Sequence, residues 1–288
     1  VKKFLNGFTS FLLPTIIIFV MFYVQPIAVM LTTSFTKWDG FNDPSFNGIS
    51  NYIKLFTNSA SAASIKNLIL WSAIAMTFHV GFGVLTAFVL YLKPHGWKFT
   101  RSVFMIPNII SAAAWALIYR FIFNDQMGVL NSVIRVFDKD FFGAVGSTRV
   151  HMHSGQFTLT WLFYAVIVTL IVLNDLMAIP KELIEAAKLD GANGWQLIRF
   201  VELPLCRISI GTGMLCSITS RISMYEAIAL TTAGGPGDDT MSLSVLLVRA
   251  ITDYNYGFAN AIGVIMFLIG LLVMYIVTKA FRMNDSIY

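Results

Sequence analysis

The sequence predicts an all-α protein that crosses a membrane several times, and three observations support this class. Of the 288 residues, 57% are hydrophobic and only 12% are charged, whereas about a quarter of the residues of a soluble domain carry charge. The mean hydropathy is +0.72. The apolar runs are about 20 residues or longer, which fits membrane-spanning helices rather than the roughly ten-residue strands of a membrane barrel.

Six apolar runs predict six transmembrane helices within a single domain that covers residues 1–288. Two lysines precede the first run, as in a signal peptide, but this run is too long for one and lacks a cleavage site. We therefore expect an uncleaved first helix. In chain order, the predicted spans are 8–35, 67–92, 101–123, 157–179, 205–230 and 259–280.

The basic residues between the spans predict the orientation of the chain. With the N-terminus in the cytoplasm, eleven Lys and Arg residues fall on the cytoplasmic side and eight on the outer side, where eight acidic residues offset them. Cytoplasmic loops carry the excess of Lys and Arg in membrane proteins. We therefore predict that both termini are cytoplasmic, that loops 93–100 and 180–204 are cytoplasmic, and that 36–66, 124–156 and 231–258 are outside.

The cytoplasmic insert 180–204 is charged, although long apolar runs flank it. Pro180 suits the first turn of a helix, and Gly191 is a typical residue just beyond a helix end. The insert therefore predicts one short helix over 181–190 and a second over about 194–201. Either a docking surface for another protein or a connector that rests on lipid headgroups fits this pattern.

A polar stripe is predicted in the fifth span. Ser217, Ser220, Arg221 and Met224 follow the spacing i, i+3, i+4, i+7, which places them on one face of a helix, and Tyr225 adjoins it. An ionisable residue within a span is costly and is by default a functional candidate. The other interpretation is structural: Arg221 extends towards water or pairs with Glu226, and the serines pack helices.

The sequence offers no catalytic or nucleotide-binding pattern. It contains no GxxxxGK[ST] loop to hold phosphates, so we expect a transport subunit without its own ATPase site and without a cofactor. His151 and His153 have no third candidate ligand beside them, so no metal site is predicted.

The insert also carries a recognisable motif. Glu185-Ala186-Ala187 is followed by Gly191 and, after nine residues, by Val201-Glu202-Leu203-Pro204. This spacing resembles the EAA loop of binding-protein-dependent ABC importer permeases, in which Ile is usual at the position of Val201. The resemblance extends to the stretches 32-TTSFTKWDGF-41, 51-NYIKLF-56, 101-RSVFMIPNIISAAAWALIYRFIFNDQMGVLN-131 and 231-TTAGGPGDDTMSL-243. Together they look like the carbohydrate branch, which includes the maltose and glycerol-3-phosphate permeases.

The resemblance implies the type I ABC importer permease fold in a bacterial cell membrane. It implies a homologous second permease subunit, two ATP-binding subunits that hold ATP and magnesium, and an extracellular solute-binding protein. In this family the EAA loop forms helices that dock on the ATP-binding subunits. The residues that the resemblance assigns to this coupling are Glu185, Ala186, Ala187, Leu189 and Gly191.

The same resemblance implies a sugar site. The polar stripe falls where carbohydrate permeases contact sugar, and aromatic faces with polar groups suit such a ligand. The substrate-binding residues implied are Phe163, Tyr164, Ile167, Ser217, Ser220, Arg221, Met224 and Tyr225. We therefore expect an ATP-driven importer of oligosaccharides, and a guanidinium in the stripe favours acidic ones. The alternative is an autonomous secondary sugar transporter, which would need coupling carboxylates of its own within the spans.

Overall fold

The structure is a computed structural model that describes residues 12–122, 128–137 and 165–283. Most of these residues are helical, as the composition predicts. In chain order, the elements are α1 (Leu12–Thr33), β1 (Thr36–Lys37), β2 (Ser45–Phe46), α2 (Ser50–Thr57), α3 (Ser59–Tyr91), α4 (Trp97–Met105), α5 (Ala112–Ile122), α6 (Val129–Phe137), α7 (Ala165–Ala178), α8 (Lys181–Leu189), α9 (Gly194–Leu205), α10 (Arg207–Ile222), α11 (Glu226–Ala229), α12 (Leu243–Thr252) and α13 (Tyr256–Ala280).

Three helices in the described part of the chain are long and apolar enough to cross a membrane by themselves: α1, α3 and α13. Helices α9 and α10 would together form a fourth crossing, bent by 66°. The helices α5, α7 and α12 are apolar but shorter. The all-α fold class is confirmed, and the six spans with their boundaries stay a prediction.

Two predicted spans differ from the helices observed. Within 101–123, α4 ends at Met105, and a single 3-10 turn (Ile106–Ile109) separates it from α5. Pro107 lies in that turn, where it lacks the N–H that an α-helix needs. Within 205–230, α10 ends at Ile222 and the separate short helix α11 follows.

The chain forms two compact units, and the first comprises residues 1–62 and 246–268. Here β1 pairs antiparallel with β2, with Thr36 opposite Phe46. Asn260 donates a hydrogen bond to the hydroxyl of Thr33 (2.6 Å), which ties α13 to the end of α1. Gly257 lies so close to Thr36 that a Cβ atom there would overlap the Thr36 carbonyl oxygen.

The second unit comprises residues 63–245 and 269–288. Its buried core joins the end of α3 to α7 and to Cys206. Small residues bring these helices together, because Val168 of α7 packs on Gly83 of α3 and on Gly213 of α10. Close approach at small residues is how helices commonly pack in membranes. Thr169 adds a polar link, since its hydroxyl donates to the Gly83 carbonyl (2.9 Å).

Candidate functional site

The predicted polar stripe is largely buried within the second unit. Arg221 is only 2% exposed, Ser217 is fully buried and Met224 is buried. Ser220 is half-buried, and its hydroxyl donates to the Ser217 carbonyl oxygen (2.7 Å). Tyr225 is exposed by 39%. The structure therefore brings Ser217, Arg221 and Met224 together inside the protein and leaves Tyr225 at its surface.

Among the residues that the structure describes, the Arg221 side chain contacts His79 and Met224. One terminal nitrogen, Nη2, lies 3.0 Å from Nδ1 of His79, and the other, Nη1, lies 3.6 Å from the Met224 sulfur. His79 is itself buried and belongs to a π-helical turn within α3, Ala75–His79. The site residues predicted from the sequence did not include His79. A second ionisable residue inside an apolar segment was the signal that could have identified it.

The end of α10 differs from the continuous helix that the stripe assumed. Met224 lies in the break between α10 and α11, where its carbonyl oxygen accepts a hydrogen bond from the Ser242 hydroxyl (2.9 Å). The carbonyl of Ile222 similarly accepts from Ser244 (2.8 Å). These serines satisfy two of the carbonyl groups that a helix leaves without partners at its C-terminus. The break directs the Met224 sulfur to Arg221 although α10 has already ended.

The residues predicted opposite the stripe are only partly described. Phe163 and Tyr164 lie outside the described residues, as do His151 and His153. Ile167 is half-buried on α7. The contacts that the structure shows between α7 and α10 include Val168 against Gly213 and a hydrogen bond from the Ser209 hydroxyl to the Asp175 carboxylate.

The predicted coupling segment forms two short helices joined by a sharp turn. Gly191 follows the end of α8 with a φ of +87°, and the Ala192 N–H donates to the Ala187 carbonyl (3.0 Å). This is the left-handed helix end that glycine adopts most easily. At the start of α9, Asn193 and Gln196 each donate a backbone N–H to the other's side-chain oxygen (2.9 Å each). Such reciprocal bonds fix the start of a helix.

The second helix of the insert is longer than the sequence predicted. It continues through Pro204 to Leu205 rather than stopping near residue 201, and the chain bends only at the buried Cys206. A proline within the first turn of a helical segment costs little. Pro204 is at such a position, because it follows a π-helical turn (Ile198–Glu202) that already departs from α-helical hydrogen bonding.

The surface of this segment is both charged and apolar. Glu185 and Ala186 are exposed, and Leu189 is 89% exposed. Trp195 and Phe200 of α9 are also exposed large hydrophobic residues. Exposed apolar side chains beside charged ones fit both interpretations of the insert, a surface that binds another protein and a connector that rests on lipid headgroups.

The chain is similar to known transport proteins over most of its length. The family model described as "binding-protein-dependent transport system inner membrane component" matches residues 79–283. The multiple sugar-binding transport system permease protein MsmF of Streptococcus mutans is 30% identical over 275 residues, which cover 93% of each chain. The probable starch degradation products transport system permease protein AmyD of Thermoanaerobacterium thermosulfurigenes is 26% identical over 275 residues, 93% of this chain and 92% of that one.

A solved structure shares the fold. It belongs to a bacterial ABC transporter involved in the import of the acidic polysaccharide alginate, with a TM-score of 0.82 and 21% sequence identity. The match covers 99% of this chain and 98% of the other. The predicted type I permease fold is therefore confirmed.

Proposed function

This chain belongs to the family of inner-membrane components of binding-protein-dependent transport systems, and we propose that it moves oligosaccharides with acidic groups through the membrane. Family membership makes it a permease subunit of an ABC importer, which argues against the autonomous secondary transporter. The observation that carries the acidic cargo is the buried guanidinium of Arg221, held in place on the predicted stripe by His79 and Met224.

The names of the relatives support a carbohydrate cargo. MsmF is named for multiple sugars and AmyD for starch degradation products, while the solved transporter imports alginate, an acidic polysaccharide. These two relatives thus favour sugars in general. The acidic preference rests on the chemistry of the stripe together with that structural neighbour.

A guanidinium suits an acidic sugar for geometric reasons. Its planar set of five N–H donors matches the two oxygens of a carboxylate, and such charge-assisted bonds are roughly twice as strong as neutral ones. Burial strengthens the attraction because little water competes for the charge. Ser217 lies one turn before Arg221 and is fully buried, and its hydroxyl has no hydrogen-bond partner among the residues that the structure describes. It would bind a sugar hydroxyl beside the carboxylate.

The remaining subunits follow from the same proposal. The exposed edge formed by α8 and the turn after it, with Glu185, Leu189 and Gly191, would dock on one of two ATP-binding subunits, which hold ATP and magnesium. A homologous second permease would complete the pathway, and a solute-binding protein would deliver the cargo from outside. This arrangement puts both termini of the chain in the cytoplasm, as the basic residues predict.

Uptake by the reconstituted importer tests the proposal. The complete complex in proteoliposomes is given labelled uronic-acid oligosaccharides and neutral oligosaccharides of equal length. Arg221→Gln keeps an amide that can hydrogen-bond within the protein, but it removes the charge and with it the charge-assisted bonds to a carboxylate. Loss of a hydrogen bond to a charged group costs about 1.5–3 kcal/mol, so uptake of the acidic sugars at low concentration should fall about ten- to hundredfold.

Two controls make the result specific. Arg221→Lys restores the charge without the planar set of donors and should recover part of the acidic uptake. Ser220→Ala removes a hydroxyl that is bonded to its own helix and should affect acidic and neutral sugars equally. If Arg221→Gln transports every accepted sugar at the parental rate, Arg221 is structural and the acidic cargo is refuted. If the parental importer takes up only neutral oligosaccharides, the carbohydrate proposal stands and its acidic part fails.

A further inference from the structure

Helix α2 (Ser50–Thr57) has three distinct sides. Asn51 and Leu55 are buried and face the rest of the first unit. A second side carries the polar residues Ser50, Lys54 and Thr57, all exposed. On the third side lie Ile49, Ile53 and Phe56, which repeat at helical spacing and are 61%, 55% and 63% exposed. An exposed apolar side next to an exposed polar side is typical of a helix at the boundary between a membrane and water.

The buried side fixes α2 at the end of a predicted span. Asn51 donates hydrogen bonds to the carbonyl oxygens of Ser34 (2.9 Å) and Thr36 (2.8 Å). The hydroxyl groups of Tyr52 and Ser34 are 2.7 Å apart. Ser34 directly follows α1, a helix of 22 residues and therefore about 33 Å long. This length matches the hydrocarbon core of about 30 Å, so Ser34 and the helix bonded to it lie at the membrane boundary.

The start of α13 marks the same level. Gly257 donates its backbone N–H to the Trp38 carbonyl (3.2 Å), and the rings of Trp38 and Tyr256 are 5.5 Å apart. Trp and Tyr are enriched where a span meets the headgroups. Lys54 of α2 places its ammonium group 4.4 Å from the centre of the Phe258 ring. The polar side of α2 thus lies beside the start of α13, which is the second of the two spans.

We propose that α2 lies flat in the headgroup region and inserts Ile49, Ile53 and Phe56 into the acyl chains of the bilayer. The lipid is the occupant that the structure favours, because Asn51 and Tyr52 bond α2 to the residue that follows α1, and none of the most apolar window of α1 is buried. With the termini in the cytoplasm, this is the outer leaflet. The contact would hold the ends of both spans at a fixed depth while other parts of the importer move. The inference needs only a membrane and is independent of the cargo.

Spin labels on the complete importer in lipid nanodiscs test this placement. Single cysteines replace Ile53, Phe56, Ser50 or Thr57 in a chain that carries Cys206→Ala and Cys216→Ala and still imports. Collisions of each label with molecular oxygen, which concentrates in lipid, are compared with collisions with a water-soluble nickel chelate. The ratio of oxygen to chelate collisions should be higher at Ile53 and Phe56 than at Ser50 and Thr57. Addition of the solute-binding protein should leave the ratio at Ile53 and Phe56 unchanged.

A photo-crosslinking amino acid at Phe56 provides a second test that needs no change to the native cysteines. The expected product is an adduct with phospholipid, identified by mass spectrometry. Three results would overturn the proposal: chelate access at all four positions, protection of Ile53 and Phe56 from both collision reagents, or an adduct of Phe56 with another protein subunit. The last two would identify this side of α2 as a protein interface.

Discussion

Nη2 of Arg221 lies 3.0 Å from Nδ1 of His79, although 142 positions separate the two residues in the chain. The contact joins α10 to the π-helical turn of α3, and both side chains are buried. A buried polar group that loses its partner costs about 1–3 kcal/mol. The pair therefore contributes to stability as well as to the proposed sugar site.

A double-mutant cycle measures this contact. His79→Ala and Arg221→Gln should each lower the thermal stability of the purified complex, and together they should cost less than the sum of the two. The difference is expected to be about 0.5–3 kcal/mol, as for residues in direct contact. Arg221→Gln combined with Asn42→Ala, a change at an exposed loop residue, is the control and should be additive. Additive effects of His79→Ala and Arg221→Gln would contradict a stabilising contact.

The coupling segment predicts a separation of ATP hydrolysis from import. Glu185 is exposed on α8, so Glu185→Lys should leave folding intact while it places a like charge or an unpaired charge at the proposed subunit contact. Like charges across an interface cost several kcal/mol, so import should fall more than about tenfold. Import and ATP hydrolysis are measured on the same vesicles.

Gly191 provides a second change at that segment. Its φ of +87° is adopted at lower cost by Asn than by other residues with a side chain. Gly191→Asn should therefore keep more import activity than Gly191→Val.

The control for Glu185→Lys is Asp190→Lys, another exposed acid of the segment outside the proposed contact set. Normal import and cargo-stimulated hydrolysis by Glu185→Lys would argue against the docking role.

Two glycines of α13 should respond differently to the same substitution. Gly257→Ala places a Cβ atom on the Thr36 carbonyl oxygen, whereas Gly270 has no atom within 4 Å of a Cβ position. Overpacking of this kind costs about 1–3 kcal/mol, so the melting temperature of the complex should fall for Gly257→Ala and stay near the parental value for Gly270→Ala. Equal melting temperatures would show that α13 and the segment after α1 adjust without strain.

Asn67 anchors the loop that precedes α12. Its side-chain amide donates to the carbonyl oxygens of Asp239 (2.7 Å) and Met241 (3.0 Å) and is buried. Asn67→Ala removes both bonds and should cost about 1–3 kcal/mol. Asn67→Asp should cost more, because carboxylate oxygens would then face the carbonyl oxygens. Limited proteolysis within 231–242 measures the effect, and unchanged cleavage in both variants would show that the loop does not depend on this anchor.

The sequence was informative where local chemistry decides the structure. Gly191 ends α8 as predicted, and apolar runs match α1 and α13, because helix ends and hydropathy depend on neighbouring residues. The contact between His79 and Arg221 depends on how α3 packs against α10, which no local pattern encodes. The break after Ile222 likewise has no Gly or Pro signal. Its carbonyl bonds come from Ser242 and Ser244, about 20 positions away, and only the folded chain brings them there.

The bend at Cys206 gives the fold a mechanical property. Helix α9 begins at the coupling segment, the chain turns by 66° at this buried residue, and α10 then extends to Arg221. The two helices therefore meet at an angle, with the bend in the buried core. The part of α10 from Arg207 to Arg221 is about 21 Å long. A rotation of α10 by about 10° about Cys206 would therefore move the guanidinium of Arg221 by about 4 Å. A displacement of this size would break the hydrogen bond between Arg221 and His79. If the proposed ATP-binding subunits displace α9, a small movement would thus be enough to exchange His79 for another partner of Arg221.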